Sequence, residues 1–326
     1  MKQKAFIILA LALLLALILF MVKDLFYNSP EKKTNPYAYD LRTLKKGDTT
    51  QTAYIETRQV HTRLPEIHGL ATGINDWIYL AGDNGVEIYD QAGILKNRFD
   101  ITGNAGCVAV DKHGNIWLGM EDHIEIRNAS GKQIKTWKSF GEESFISSIA
   151  VTDSFAFIAD AGRKVVYRCD LSGNMINRIG EKDPVRKIPG FIIPSPYFDL
   201  AIAPDRSLWV VNPGRYELEK YSYDGSFLTS WGEPGIGIGR FCGCCNPSHF
   251  TLLRDGSFIT SEKGIERIKI YSAEGKFSAV VAFPSSFEEG TRGLDLATDS
   301  RERILALDPV KKQVRIFIRK KDQKSN

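Results

Sequence analysis

Cys242-Gly243-Cys244-Cys245 places three of the chain's five cysteines within four positions, and Asn246-Pro247 and His249 follow at once. Thiolate and imidazole are the donors that Cu(I) and Zn(II) prefer. Cys242, Cys244, Cys245 and His249, joined by the distant Cys107, therefore form one candidate metal set, with copper or zinc as the expected ion. Two other readings stand beside it. In an oxidising compartment the loop cysteines can form disulfides with Cys107 or Cys169, leaving one thiol over because five is odd. The same thiols can also pack without any special role, as Cys169 is expected to do on its alternating strand. His68 stands before the first repeat unit, His113 and His123 lie at turns, His61 lies on an early strand, and none makes an i, i+4 metal pair. Ser-His-Asp, paired-carboxylate, Walker and dinucleotide motifs are absent, so no catalytic residues are named.

What positions these residues is an internal repeat. Leu70-Ala71-Thr72, Val108-Ala109-Val110, Ile149-Ala150-Val151, Leu200-Ala201-Ile202, Phe250-Thr251-Leu252 and Leu294-Asp295-Leu296 recur about 40 to 50 residues apart, the spacing of four short strands per unit. Each opens a unit. A second strand follows, such as Asn115-Ile116-Trp117-Leu118 or Ser207-Leu208-Trp209-Val210. A third alternates apolar with polar, as in Ile124-Glu125-Ile126-Arg127 and Ile268-Lys269-Ile270-Tyr271. Then comes a hairpin signal ending in Gly, such as Asp90-Gln91-Ala92-Gly93 or Asp170-Leu171-Ser172-Gly173. A fourth strand, such as Phe227-Leu228-Thr229-Ser230-Trp231, completes the unit. The sixth unit stops after its third strand, Val314 to Ile318. Tyr54 to Val60, which precedes the first unit, is expected to pair there and close the ring, leaving no open edge.

Just before the six openings stand Gly69, Cys107, Ser148, Asp199, His249 and Gly293. Repeat symmetry predicts that these positions surround a central channel at one height, so that Cys107, Asp199 and His249 converge with the cysteine loop. Asp83, Asp160, Asn212 and Glu262 follow the second strands, where such side chains cap backbone N–H groups. Arg163, Arg215 and Arg267 stand on the next connections, in a structural role between neighbouring units. The long connections Gly180 to Pro196 and Gly232 to Pro247 are where recognition is expected on a rigid scaffold.

The order of opening strand, Trp-rich strand, alternating strand, Asp-x-x-Gly hairpin and a last strand ending in Trp-Gly resembles the NHL repeat, over residues 67 to 318. Gly239-Arg240-Phe241-Cys242-Gly243-Cys244-Cys245-Asn246-Pro247 looks like an elaborated form of that family's Gly-x-Phe-x-x-Pro loop. The resemblance implies a six-bladed β-propeller, a fold that serves binding platforms, sensors and enzymes alike. Similar propellers include calcium-dependent lactonases and zinc-dependent amidating lyases, but their convergent carboxylates or axial histidines are not matched at the aligned positions here.

The composition agrees with a globular all-β chain, with 43% hydrophobic and 25% charged residues in 326. A net charge of +4, from 43 basic and 39 acidic residues spread along the chain, gives no case for nucleic-acid binding. Lys2 and Lys4 precede an apolar run from Ala5 to Val22, long enough as a helix to reach about 27 Å against a hydrocarbon core of about 30 Å. The expected organisation is a transmembrane signal-anchor at 1–22, a flexible linker at 23–50, a propeller at 51–320 and a polar tail at 321–326. Basic residues before the helix put the propeller on the periplasmic or extracellular side of the cell membrane. The first functional expectation is a membrane-tethered scaffold that binds a protein or small-molecule ligand on one face. The alternatives are a metal-binding or redox protein using the cysteine loop, and a propeller hydrolase or lyase.

Overall fold

The computed structural model describes residues 2–27, 52–243 and 245–320. Cys244, the tail and most of the expected linker lie outside these. The chain divides into two units, Met1–Leu41 and Arg42–Asn326. Among its described residues the first holds one helix, α1 (Lys2–Tyr27), which runs past residue 22 into the expected linker. Its described side chains at 11–23 are exposed and nearly all apolar. Among the described residues no helix is long and apolar enough to cross a membrane, so the transmembrane expectation for 1–22 is not supported.

The second unit is built of antiparallel strands. After β1 (Tyr54–His61) come β2 (Ile67–Thr72), β3 (Ile78–Tyr89), β4 (Leu95–Val110), β5 (Ile116–Met120), β6 (Ile124–Arg127) and β7 (Gln133–Thr136), with β2 to β7 paired in that order as one six-stranded sheet. Next are β8 (Ile146–Val151), β9 (Phe155–Asp160), β10 (Val165–Asp170) and β11 (Met175–Ile179), which form a four-stranded sheet. A second follows from β12 (Leu200–Ile202), β13 (Leu208–Asn212), β14 (Glu217–Tyr221) and β15 (Phe227–Trp231), and a third from β16 (His249–Leu252), β17 (Phe258–Glu262), β18 (Arg267–Tyr271) and β19 (Phe277–Ala282). The last sheet takes β20 (Leu296–Thr298), β21 (Ile304–Asp308) and β22 (Gln313–Arg319) and adds β1 at its edge. This is a β-propeller.

Among the described residues the sheets number five, not the six separate ones that the repeat predicts. The cause lies in β4. Its first part pairs with β3, and its last part, Ala105 to Val110, pairs with β5. Gly103 (φ 88°) and a register shift opposite Asp83 and Gly85 mark the junction, but β4 runs through it, so the first two repeat units share one continuous sheet.

Burial explains the strand grammar. The second strand of each unit is covered on both faces by neighbouring sheets, so β5, β13, β17 and β21 are buried at every position. Outer strands such as β7 and β11 face solvent and are mixed in character. Adjacent sheets are stapled at the hairpins. Gly173 (φ 94°) and Gly275 (φ 77°) take the left-handed backbone that glycine tolerates. A Cβ there would also meet the Trp137 and Trp231 rings at 2.9 and 2.5 Å. Glycine is required twice over, for the turn and for the aromatic that ends the preceding sheet.

Ring closure by the N-terminal strand is present. β1 pairs antiparallel with β22 from Tyr54↔Arg319 to His61↔Gln313. Arg315 Nη2 donates to Glu56 Oε2 across this seam, and Val60 is buried among Leu64, Leu307, Val314 and Ile316. Placing a carboxylate in that apolar cluster should cost about 3–5 kcal/mol. Val60→Asp is therefore expected to lower the denaturant midpoint sharply in equilibrium unfolding, whereas His61→Ser, on the exposed face of the same strand, should leave it nearly unchanged.

Candidate functional site

The innermost strand of each unit has one edge turned to the axis, where its N–H groups have no further strand to pair with. Two carboxylates take up that role. Asp199 Oδ1 accepts from its own neighbour Leu200 N at 2.8 Å and from Ser148 Oγ at 2.6 Å, and Oδ2 accepts from Phe250 N in the next unit at 2.9 Å. Asp295 repeats the arrangement, with Oδ1 on Leu296 N and Oδ2 on Leu70 N, both at 2.8 Å. Each carboxylate thus ties its unit to the following one. Between them, at the start of β16, stands His249, with Nδ1 3.7 Å from Asp199 Oδ2 and 3.5 Å from Asp295 Oδ1.

Asp199 and His249 are buried, and Asp295 is half-buried. His249 is 8% exposed, its Nε2 has no hydrogen-bond partner, and the Tyr197 ring packs edge-on against it at 5.4 Å. Burial disfavours the imidazolium, but the Asp199 and Asp295 carboxylates outweigh it and hold the His249 pKa above its ordinary value. Asp295 is pushed up to about 6, first by burial and also by Asp199, against the pull of His249. Two cavities adjoin the trio. The larger, about 710 Å³, is lined by His249 together with Ile67, Met120, Phe145, Tyr197 and Arg292. The smaller, about 240 Å³, is lined by the inner strands and includes Asp199, Asp295 and Cys107.

Of the residues expected at the channel, Ser148, Asp199 and His249 are brought together. Cys107 is buried beside them, and burial together with the charges of Asp295 and Asp199 pushes its thiol well above the usual range. Asp295 was not expected there. In the structure Leu296 pairs with Ala306 as Leu200 pairs with Val210 and Phe250 with Thr260. The last unit therefore opens at Leu296, two residues beyond the expected start, and Asp295, not Gly293, holds the channel position. The signal available in the sequence was the match of Asp295-Leu296-Ala297 to Asp199-Leu200-Ala201.

The cysteine loop has other surroundings. Cys242 is buried against β17 and β18, where Arg267 Nη2 donates to its sulfur at 3.6 Å. Burial and Glu262 raise its pKa against the effect of Arg267. Asn246 fastens the loop, donating to the carbonyls of Cys242 and Lys263 and accepting from Lys263 N. Cys245 is buried as well. Cys107, Cys169 and Cys242 are free thiols. Among the described residues the one grouping of metal-ligating side chains is Asp199, His249 and Asp295. His68 pairs with Asp83 at 2.7 Å at the mouth of the larger cavity, and His123 pairs with Asp122 at 2.7 Å there.

The expected capping positions serve structure. Asp160 accepts from Phe145 N and Arg163 N. Asn212 accepts from Ile192 N and donates to Gly190 O, which pins the long Gly180 to Pro196 connection. That connection is not a free loop, since Ile188, Phe191 and Ile193 enter the core, and its last residue, Pro196, lines the larger cavity together with the neighbouring Tyr197. Glu262, Arg267 and Lys269 form a buried ion cluster, with Lys269 Nζ 3.3 Å from Glu262 and bonded to Arg240 O at 2.8 Å.

No family model matches the chain, and no curated protein matches it. Solved structures do. A streptogramin B lyase is similar with a TM-score of 0.57 at 11% identity, over 81% of this chain and 97% of that one. Virginiamycin B lyase from Staphylococcus aureus gives 0.53 at 12%, over 78% and 81%. The WD40 β-propeller domain of Doa1 gives 0.58 at 12%, over 81% and 82%. At these identities the likeness establishes the propeller fold alone.

The ion cluster beneath the cysteine loop has a pH signature. Burial lowers the Lys269 pKa to about 8 in spite of Glu262. Between pH 8 and 10 the unfolded lysine keeps a proton that the folded one has lost, so unfolding takes up a proton and stability rises with pH. The rise from this residue is at most about 3 kcal/mol. Urea unfolding at pH 7.5 to 10 should show it in the wild type, and Lys269→Met should remove it.

Proposed function

We propose that the propeller binds a small organic ligand in the larger cavity, with His249 as its polar anchor. The observation that carries this reading is a cavity of about 710 Å³ bordered by a buried histidine whose Nε2 has no partner. Its size falls within the range of small-molecule sites, about 300–1,000 Å³. Its wall combines apolar side chains, Ile67, Met120, Phe145 and Tyr197, with a few polar groups. That mixture suits a ligand with an apolar body and one or two hydrogen-bonding groups. The walls come from several sheets and from the long Pro-rich connection, which is pinned by Asn212 and therefore pre-formed.

Repeat by repeat, the Asx and Gly hairpins support reading the continuous β2 to β7 sheet as two fused NHL-like units. A lyase activity, as in two of the fold relatives, has weaker support, because those relatives share only about a tenth of their residues with this chain. Binding requires nothing beyond the cavity and its anchor.

Ligand-observed NMR against a library of small organic fragments tests the reading. Hits are expected for the wild type, and Thr102→Trp, which fills the cavity from β4, should weaken them at least tenfold. Lys112→Ala, at an exposed ion pair with Asp153, should leave them intact. Hits that persist in Thr102→Trp, or no hits at all, would reject the cavity as a binding site.

A further inference from the structure

We propose that Asp199, His249 and Asp295 form a divalent-metal site on the propeller axis, suited to zinc. Three consecutive repeat units supply the three residues from one repeat position, at the starts of β12, β16 and β20. Their nearest ligand atoms all lie within 4.8 Å of one another.

The separations carry the argument. His249 Nδ1 stands 3.5 and 3.7 Å from the two carboxylate oxygens, longer than the ~2.7–3.2 Å of a formed N–H···O bond. Ligands bound at ~2.0–2.2 Å to one tetrahedral zinc lie ~3.4 Å apart. The two His249 separations are those of ligands sharing one centre, and the third side, between the carboxylates, is no more than 4.8 Å.

The side chains are also held for the task. His249 is more than nine-tenths buried, has no hydrogen-bond partner on Nε2, and directs Nδ1 at both carboxylates. The Asp199 and Asp295 carboxylates are fixed by backbone N–H groups of adjacent units. Such outer bonds orient metal ligands. Among the described residues no Lys or Arg forms an ion pair with any of the three. One buried and one half-buried carboxylate thus face a single imidazole, and a divalent cation would balance their charge. Two oxygens and one nitrogen suit zinc or manganese better than Cu(I), which prefers sulfur.

Three protein ligands leave a coordination position for water or another small oxygen donor. The metal site does not rest on the small-molecule reading above.

Isothermal titration of the chelator-stripped full chain with zinc chloride tests the site. The wild type should bind one equivalent with micromolar or tighter affinity. His249→Ala and Asp295→Asn should each weaken binding at least tenfold, while Cys242→Ser should leave it unchanged. Thr102→Trp should still bind zinc, which separates the metal site from the ligand cavity. X-ray absorption at the zinc edge, on the wild type alone, should show only nitrogen and oxygen neighbours. Absence of saturable binding, undiminished binding by His249→Ala, loss in Cys242→Ser, or sulfur in the absorption spectrum would each overturn the assignment.

Discussion

A propeller's weakest point is its inner edge, where each innermost strand ends a sheet and no further strand can pair with it. Buried N–H groups left there without acceptors cost about as much as a lost hydrogen bond each. In this chain Asp199 and Asp295 meet that demand across unit boundaries, accepting from Phe250 N and Leu70 N. The second of these joins the last unit to the first. The carboxylates are therefore placed by the closure of the ring, and whatever chemistry they perform is inherited from that placement.

The rest of the fold holds the inner edge in register. Doubly covered second strands lock each sheet between its neighbours, and Trp137 and Trp231 lie on the turn glycines of the sheets that follow. β1 completes the last sheet, with Glu56 and Arg315 joined across the seam. A scaffold so constrained can keep three side chains from three units within 4.8 Å of one another. That is the arrangement around His249.

Much of this was legible from the sequence because its signals are local. Alternation marked the strands, the Asp-x-x-Gly hairpins marked the turns, and a truncated sixth unit beside an unpaired early strand marked the closure. The sheet count was not legible. Nothing in Thr102-Gly103-Asn104 shows whether a strand stops or runs on, since that depends on pairing with distant residues. Asp295 was missed for a related reason. Leu294 and Leu296 both satisfy a period of two, and a period of two cannot choose between starts two residues apart. The match to Asp199-Leu200-Ala201 favours the later start, and the partner, Ala306, fixes it.

The cysteine loop shows the converse limit. Cys242 and His249 lie seven positions apart, yet the chain turns between them from a blade interior to the axis. Asn246 makes the turn by bonding back to Cys242 O and Lys263, which leaves the Cys242 sulfur against Arg267 and delivers His249 to the channel. The side chain that precedes each inner strand points to the axis because of its repeat position, not because of its sequence neighbours. Chemistry in such a fold is therefore better read down the column of equivalent positions, Gly69, Cys107, Ser148, Asp199, His249 and Asp295, than along any stretch of the chain. The column brings together groups that are 50 residues apart, and it separates groups that sit side by side.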